Sequence, residues 1–186
     1  MKKVFMIAAL MIAALGANAQ DKVEIKAGVG VAQINGINQD SKVGFNLGIG
    51  YQMNLDGNVY VEPSVMYENK GFKSKGLSLL GYTLTSDRTY YASYLTVPVV
   101  MGVRMPLTQG VNFALEAGPY ASLEMGGTDQ YFDEGGAKDW DLGLTAGGKF
   151  EFGDYRVGAY YNYGLMHVWP GAGHNMTYGI SLGYAF

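Results

Sequence analysis

No cysteine occurs among the 186 residues. Its absence excludes disulfides, a lipid-modified cysteine behind a leader, and thiolate metal or redox centres. Stability therefore has to come from the fold. Long apolar runs are equally scarce. Beyond residue 20 no stretch of 18 or more apolar residues is found, which excludes a transmembrane helix but leaves membrane-spanning strands open, since their hydrophobic signal is much weaker. Sustained helical periodicity is missing too. Positive charge is in short supply, with 13 Lys and Arg against 16 Asp and Glu. Without Lys2 and Lys3, 11 basic residues face 16 acidic ones, a net charge of -5. That balance excludes the basic footprint of a nucleic-acid binder.

The N-terminal segment reads MKKVFMIAALMIAALGANAQ. Two lysines, an apolar run from Val4 to Leu15 and an Ala17-Asn18-Ala19 ending have the form of a secretory signal peptide. The expectation is a leader over residues 1–19 and one domain over residues 20–186.

In that domain Gly, Tyr and β-branched residues dominate, and a period of two recurs. Strands are expected near 22–32, 42–53, 58–69, 89–105, 110–125, 139–152, 154–166 and 174–186. Three connections, NLDGN, PLTQG and EFGDY, are tight turns. Four others, QINGINQD, KGFKSKGLSLLGYTLTSD, GGTDQYFDEGGAK and HVWPGAG, are longer. An even-stranded up-and-down barrel with both termini on the short-turn side produces this alternation, and outer-membrane barrels place short turns in the periplasm.

The two strand faces are chemically unlike. One phase holds Val29, Phe45, Leu47, Val65, Leu95, Met101, Leu115, Leu144, Val157, Ile180 and their in-phase neighbours, 50 positions with no charge among them. At the chain average of 16% charged residues, about eight would be expected. The physical reason is cost, because an Arg or Lys facing lipid at the bilayer midplane costs roughly 2–4 kcal/mol. The opposite phase carries Glu24, Lys26, Glu62, Arg104, Glu116, Glu124, Asp141, Lys149, Glu151 and Arg156 among many Gly, Ser, Thr and Asn. A soluble barrel shows the reverse. Aromatic residues cluster at the predicted periplasmic rim (Tyr51, Phe113, Phe150, Phe152, Tyr155, Tyr184, Phe186), with Tyr67, Tyr91, Trp140 and Tyr178 candidates for a second girdle.

Several stretches, YENKGF, YLTVPVVMGVRM, EAGPYASL, DWDLGLTAGGKFEF and the closing SLGYAF, resemble the PorT-like outer-membrane β-barrel family of Bacteroidetes-type bacteria. The resemblance runs from Val23 to Phe186, with Tyr94, Leu95, Pro98, Gly118, Pro119, Tyr120, Asp141 and Gly143 on the family's pattern. It departs at Gly102, where the family often has a lysine a few residues after the strand proline. The resemblance implies a barrel without a reaction, and the terminal Tyr184 and Phe186 resemble the signal read by the barrel-assembly machinery.

Candidate chemistry is sparse. Glu24, Lys26, Glu62, Arg104, Glu116, Lys149, Glu151 and Arg156 are expected to form a paired structural network filling a narrow lumen, with Glu116 or Glu62 beside Arg104. His167 and His174 share MHVWPGAGH, and Ser122 and Glu124 are the groups that could approach them across the barrel, as a lipid-A acyltransferase or deacylase would require. Lys70, Lys73, Lys75 and Arg88 surround LSLLGYTL in an outer loop fit for lipopolysaccharide phosphates or a partner protein. Asp129, Asp133, Glu134 and Asp139 lack calcium-loop spacing, and the glycines of GVGVAQING alternate along a strand rather than preceding a helix.

The sequence thus predicts an all-β, eight-stranded antiparallel transmembrane barrel in the cell outer membrane. Its expected role is structural or interactive, with no open pore, catalytic site, cofactor or metal. Expected partners are outer-membrane lipid and lipopolysaccharide, the barrel-assembly machinery and periplasmic chaperones during biogenesis, and a protein at the outer loops, but no nucleic acid. The alternatives are a lipid-A-modifying enzyme and a secreted soluble barrel for an apolar ligand.

Overall fold

A computed structural model describes residues 21–35, 40–55, 57–74, 78–79, 82–83, 88–127, 140–169 and 172–186. Residues 1–19, expected to be a leader, Lys75 and the acidic residues Asp129, Asp133, Glu134 and Asp139 lie outside the described residues. Eight long strands follow in chain order: β1 (Lys22–Asn35), β2 (Asp40–Asn54), β3 (Val59–Ser74), β6 (Arg88–Thr108), β7 (Val111–Gly127), β8 (Trp140–Phe152), β9 (Tyr155–Trp169) and β10 (Ala172–Ala185). Between β3 and β6 the two-residue strands β4 (Ser78–Leu79) and β5 (Tyr82–Thr83) pair with each other.

The long strands close into one antiparallel barrel in the order β1-β10-β9-β8-β7-β6-β3-β2. Each is hydrogen-bonded on both sides, so the closure leaves no sheet edge in the wall, as lipid demands. The closing seam pairs β1 with β10 from Glu24↔Ala185 to Asn35↔His174. The last residue belongs to it, with reciprocal backbone bonds between Val23 and Phe186 of 3.0 and 2.9 Å.

The short turns end β2, β6 and β8, and each uses a glycine with positive φ: Gly57 (67°), Gly110 (79°) and Gly153 (59°). That backbone region suits glycine because it lacks a Cβ. The other four connections lie at the opposite end, and two are shorter than the sequence suggests. β3 and β6 run on as a paired hairpin to Ser74↔Arg88. HVWPGAG is mostly strand, since β9 reaches Trp169 and pairs it with Ala172. Aromatic and β-branched residues propagate the ladder there, and only residues 170–171 connect the strands.

The faces divide as the alternation predicts. Ile180 and Leu182 of β10 are 62% and 64% exposed, with Val29, Leu47, Met101, Leu115 and Leu144 also on the outside. Inside are Glu24, Glu62, Glu68, Asp141, Lys149, Glu151 and Arg156, all buried. This inside-out arrangement overturns the soluble-barrel alternative, which would bury its apolar face. At the short-turn rim the aromatic rings touch in series, Phe113 with Phe150 at 4.9 Å and Tyr155 with Tyr184 at 5.3 Å between centroids. Tyr184 also lies 6.2 Å from Phe186.

Candidate functional site: the barrel lumen and its outer end

The lumen is organised in layers. Nearest the short turns, Lys149 on β8 reaches three carboxylates, Glu116 at 3.0 Å, Glu62 at 3.1 Å and Glu24 at 3.4 Å. Lys26 on β1 also pairs with Glu62, which accepts further bonds from Ser64 at 3.1 Å and Gln52 at 3.4 Å. Carboxylates clustered in a low-dielectric interior persist only when cations and donors surround them.

Arg104 does not sit beside Glu116 or Glu62. Its partner is Glu151, 3.0 Å from Nε, and its other nitrogens donate to Asn54 and Gln52. The reason is height in the barrel. Arg104 lies one residue past the Val103↔Val59 rung toward the β6 turn, and the stagger between strands brings it to Glu151 near the end of β8. Arg156 completes the layer, 3.3 Å from Glu151 and bonded to the backbone carbonyls of Gly153 and Tyr155. Four carboxylates thus face four cations, and the cluster is neutral.

Tyr60 crosses this layer and is fully buried. Its hydroxyl donates to Glu116 at 2.9 Å, while Arg104 and Lys149 lie 4.5 and 5.1 Å from its ring centroid. Cations over an aromatic face gain from its quadrupole, more so when desolvated. Gly102 makes the ring's position available, since a Cβ there would collide with it. Glycines at 50 and 183 leave comparable room for Glu62 and Glu24.

A second layer lies toward the long-loop end. Lys70 is not a loop residue. It is on β3, 8% exposed, with its ammonium 2.7 Å from Glu68 and 5.4 and 5.8 Å from the ring centroids of Tyr94 and Tyr120. Thr96 donates to Glu68 at 2.7 Å and lies 2.8 Å from Ser122. Tyr120 donates to Asp141 at 3.2 Å, as does Asn175 at 3.5 Å. The strand phase that gave Glu62 also gives Tyr60, Glu68 and Lys70, so extending it one residue past the expected strand end finds this layer.

Lys73 and Arg88 sit on the last two rungs of the β3–β6 ladder, in register with Thr89 and Ser74 respectively. His167 and His174 are backbone register partners across β9 and β10. His174 Nδ1 is 2.9 Å from the Gly164 carbonyl and its ring stacks on Tyr163 at 5.4 Å. Ser122, one of the proposed partners for such a histidine, is engaged with Thr96 inside the second layer. Among the described residues, no group of three or more His, Cys, Asp or Glu could hold a metal ion.

Comparisons with known proteins agree with this architecture. The chain is similar to the outer membrane protein OprG of Pseudomonas aeruginosa (14% identity, 92% of this chain and 98% of that one, TM-score 0.57). It is also similar to Neisserial surface protein A (13% identity, 89% and 97%, TM-score 0.53). No curated protein matches it. The sequence model of the outer membrane protein beta-barrel domain matches residues 14–169, most of the chain and seven of the eight wall strands. With a closed barrel that is apolar outside and ion-paired inside, this chain belongs to the outer membrane protein β-barrel domain family and resides in the outer membrane.

Proposed function

We propose that this protein is a non-catalytic outer-membrane barrel whose working surface is its outer end, and that its lumen serves to hold the wall rather than to conduct. The observation that carries the reading is the uneven height of the wall. Trp140, where β8 begins, is in register with Leu123 of β7 and through it with Leu95 of β6, whereas β6 stays paired with β3 for seven residues more, to Arg88↔Ser74. At about 3.4 Å per residue, the β3–β6 hairpin stands well above the β8 side of the wall and carries the backbone of Lys73 and Arg88 beyond it. A raised, basic hairpin suits the phosphates of lipopolysaccharide or an acidic protein face, and attracts them over a Debye length.

The PorT-like motifs around Tyr94, Pro98, Pro119 and Asp141 support a finer placement within the family. Tyr184 and Phe186 serve, on this reading, as the signal for the assembly machinery, and residues 1–19 as the leader. Crosslinking in intact cells, followed by detergent extraction and identification of what co-purifies, tests the role. A near-stoichiometric protein partner lost on Lys73→Glu/Lys75→Glu/Arg88→Glu supports the hairpin as its dock. Lipopolysaccharide alone, lost on the same change, assigns the hairpin to lipid. An unchanged profile would refute the proposed working surface. The lipid-A enzyme reading is tested by the mass spectrum of lipid A on overexpression, which is expected to stay unchanged.

A further inference from the structure

Between the two layers the lumen is not packed. A cavity of about 80 Å³ lies at mid-barrel, lined by Lys26 and Glu116 from below, Glu68 and Tyr120 from above, and Thr145 and Ser181 from the wall. A smaller one of about 10 Å³ adjoins it through Asn46, Glu68 and Tyr160. One water needs on the order of 10–15 Å³ of such space and two to four polar partners. The larger cavity therefore has room for several waters, and Lys26, Asn46, Glu68, Glu116, Thr145 and Ser181 bring polar groups to a lining shared with Met66, Pro98 and Val100.

A second observation points to an occupant. Asn46 is 6% exposed and lines both cavities. Its Nδ2 donates to the Tyr160 hydroxyl at 2.6 Å, yet its buried Oδ1 has no hydrogen-bond partner. A buried amide oxygen left without a donor costs about 1–3 kcal/mol. Water in the chamber supplies that donor. Inward-facing Thr145 and Ser181 keep part of their surface open in the same space, although both sit at the level of the bilayer interior.

We propose that the lumen is an occluded aqueous passage, a water-filled chamber accessible to small monovalent ions once either of two thin layers is removed. The inner layer is the Tyr60 ring held by Arg104, Lys149 and Glu116. The outer one is Lys70 held by Glu68 among the rings of Tyr94 and Tyr120. The barrier is then these side chains and not the radius of an eight-stranded wall, which goes beyond the reading of a closed structural barrel and leaves that reading standing if it fails.

The cysteine-free chain allows a direct test. Ser181→Cys places a near-isosteric thiol in the chamber, and Leu182→Cys places one on the lipid face. Each is refolded into liposomes and treated with methanethiosulfonate ethylammonium, folding being verified by heat-modifiable gel mobility. The Ser181→Cys thiol is expected to react slowly in the otherwise unchanged barrel, and at least tenfold faster when Tyr60→Ala or Lys70→Ala is added. Leu182→Cys is expected to show no such increase. An unchanged Ser181→Cys rate in both folded layer variants would overturn the proposal. Should neither layer variant fold, Ser181→Val decides: a lowered unfolding midpoint fits a hydrated chamber, and a raised one means the chamber is dry and the proposal wrong.

Discussion

Single residues set the shape of this lumen. Tyr60 lies flat across the barrel only because position 102 has no side chain. Gly102→Ala should force the ring to move and destabilise the barrel by about 1–3 kcal/mol, as overpacking does. Guanidinium unfolding in micelles measures this, and a variant at wild-type stability would show that the ring has slack.

Lys149 and Arg104 are both buried cations, but their removal should differ. Removing one partner of a buried ion pair costs roughly 3–5 kcal/mol because the other charge is stranded. Lys149→Met strands Glu24 and Glu116 and leaves Glu62 with Lys26. Arg104→Met strands no charge, since Glu151 keeps Arg156, and costs only the donors to Gln52 and Asn54. The expected order of unfolding midpoints is therefore wild type, then Arg104→Met, then Lys149→Met, and the reverse order of the two variants would contradict the assignment of partners.

At the scale of elements, β10 shows how much a strand can declare by itself. Met176, Tyr178, Ile180, Leu182, Tyr184 and Phe186 alternate with small, uncharged residues. In the barrel the large ones face outward, while Gly179 and Gly183 leave space for Tyr160 and Glu24. Ile180→Arg puts a charge on the lipid face at mid-strand and should cost roughly 2–4 kcal/mol. Deleting Phe186 removes the paired backbone bonds to Val23 at the closing seam. Outer-membrane levels in cells should fall sharply, and refolding in vitro should slow but still reach a barrel. Normal cellular levels would count against an assembly role for the terminal aromatic.

Other elements were harder to read from sequence. The period of two fixed the eight strands to within a few residues, since each face has a different solvent and the pattern has to hold across the bilayer. Above the bilayer that constraint stops. Lys70 and HVWPGAG carry the charged, Gly- and Pro-containing composition of loops, yet both continue a ladder. Composition reports what surrounds a segment, and a hairpin standing in water has the surroundings of a loop. Partner choice within the lumen was illegible for another reason. Alternation tells which side chains point inward but not their height, and height depends on the stagger between strands. Arg104 was therefore matched to the wrong glutamates.

For the whole molecule the account comes down to solvents. Lipid outside demands an uncharged surface and a closed wall. The narrow interior demands that charge be paired, and four carboxylates facing four cations meet that demand near the periplasmic rim. On the proposed function, binding is left to the outer end, where the β3–β6 ladder runs on past the start of β8. The lipid-facing assignment of one strand phase underlies all of this, and a cysteine-free chain permits it to be probed at one position at a time. Thr177 to Leu182 would each be replaced by cysteine, tagged with a small fluorophore, and quenched by lipids brominated along their acyl chains. Strong quenching at 178, 180 and 182 with weak quenching at 177, 179 and 181 is the predicted result. Uniform quenching, or the opposite phase, would contradict the barrel's inside-out design.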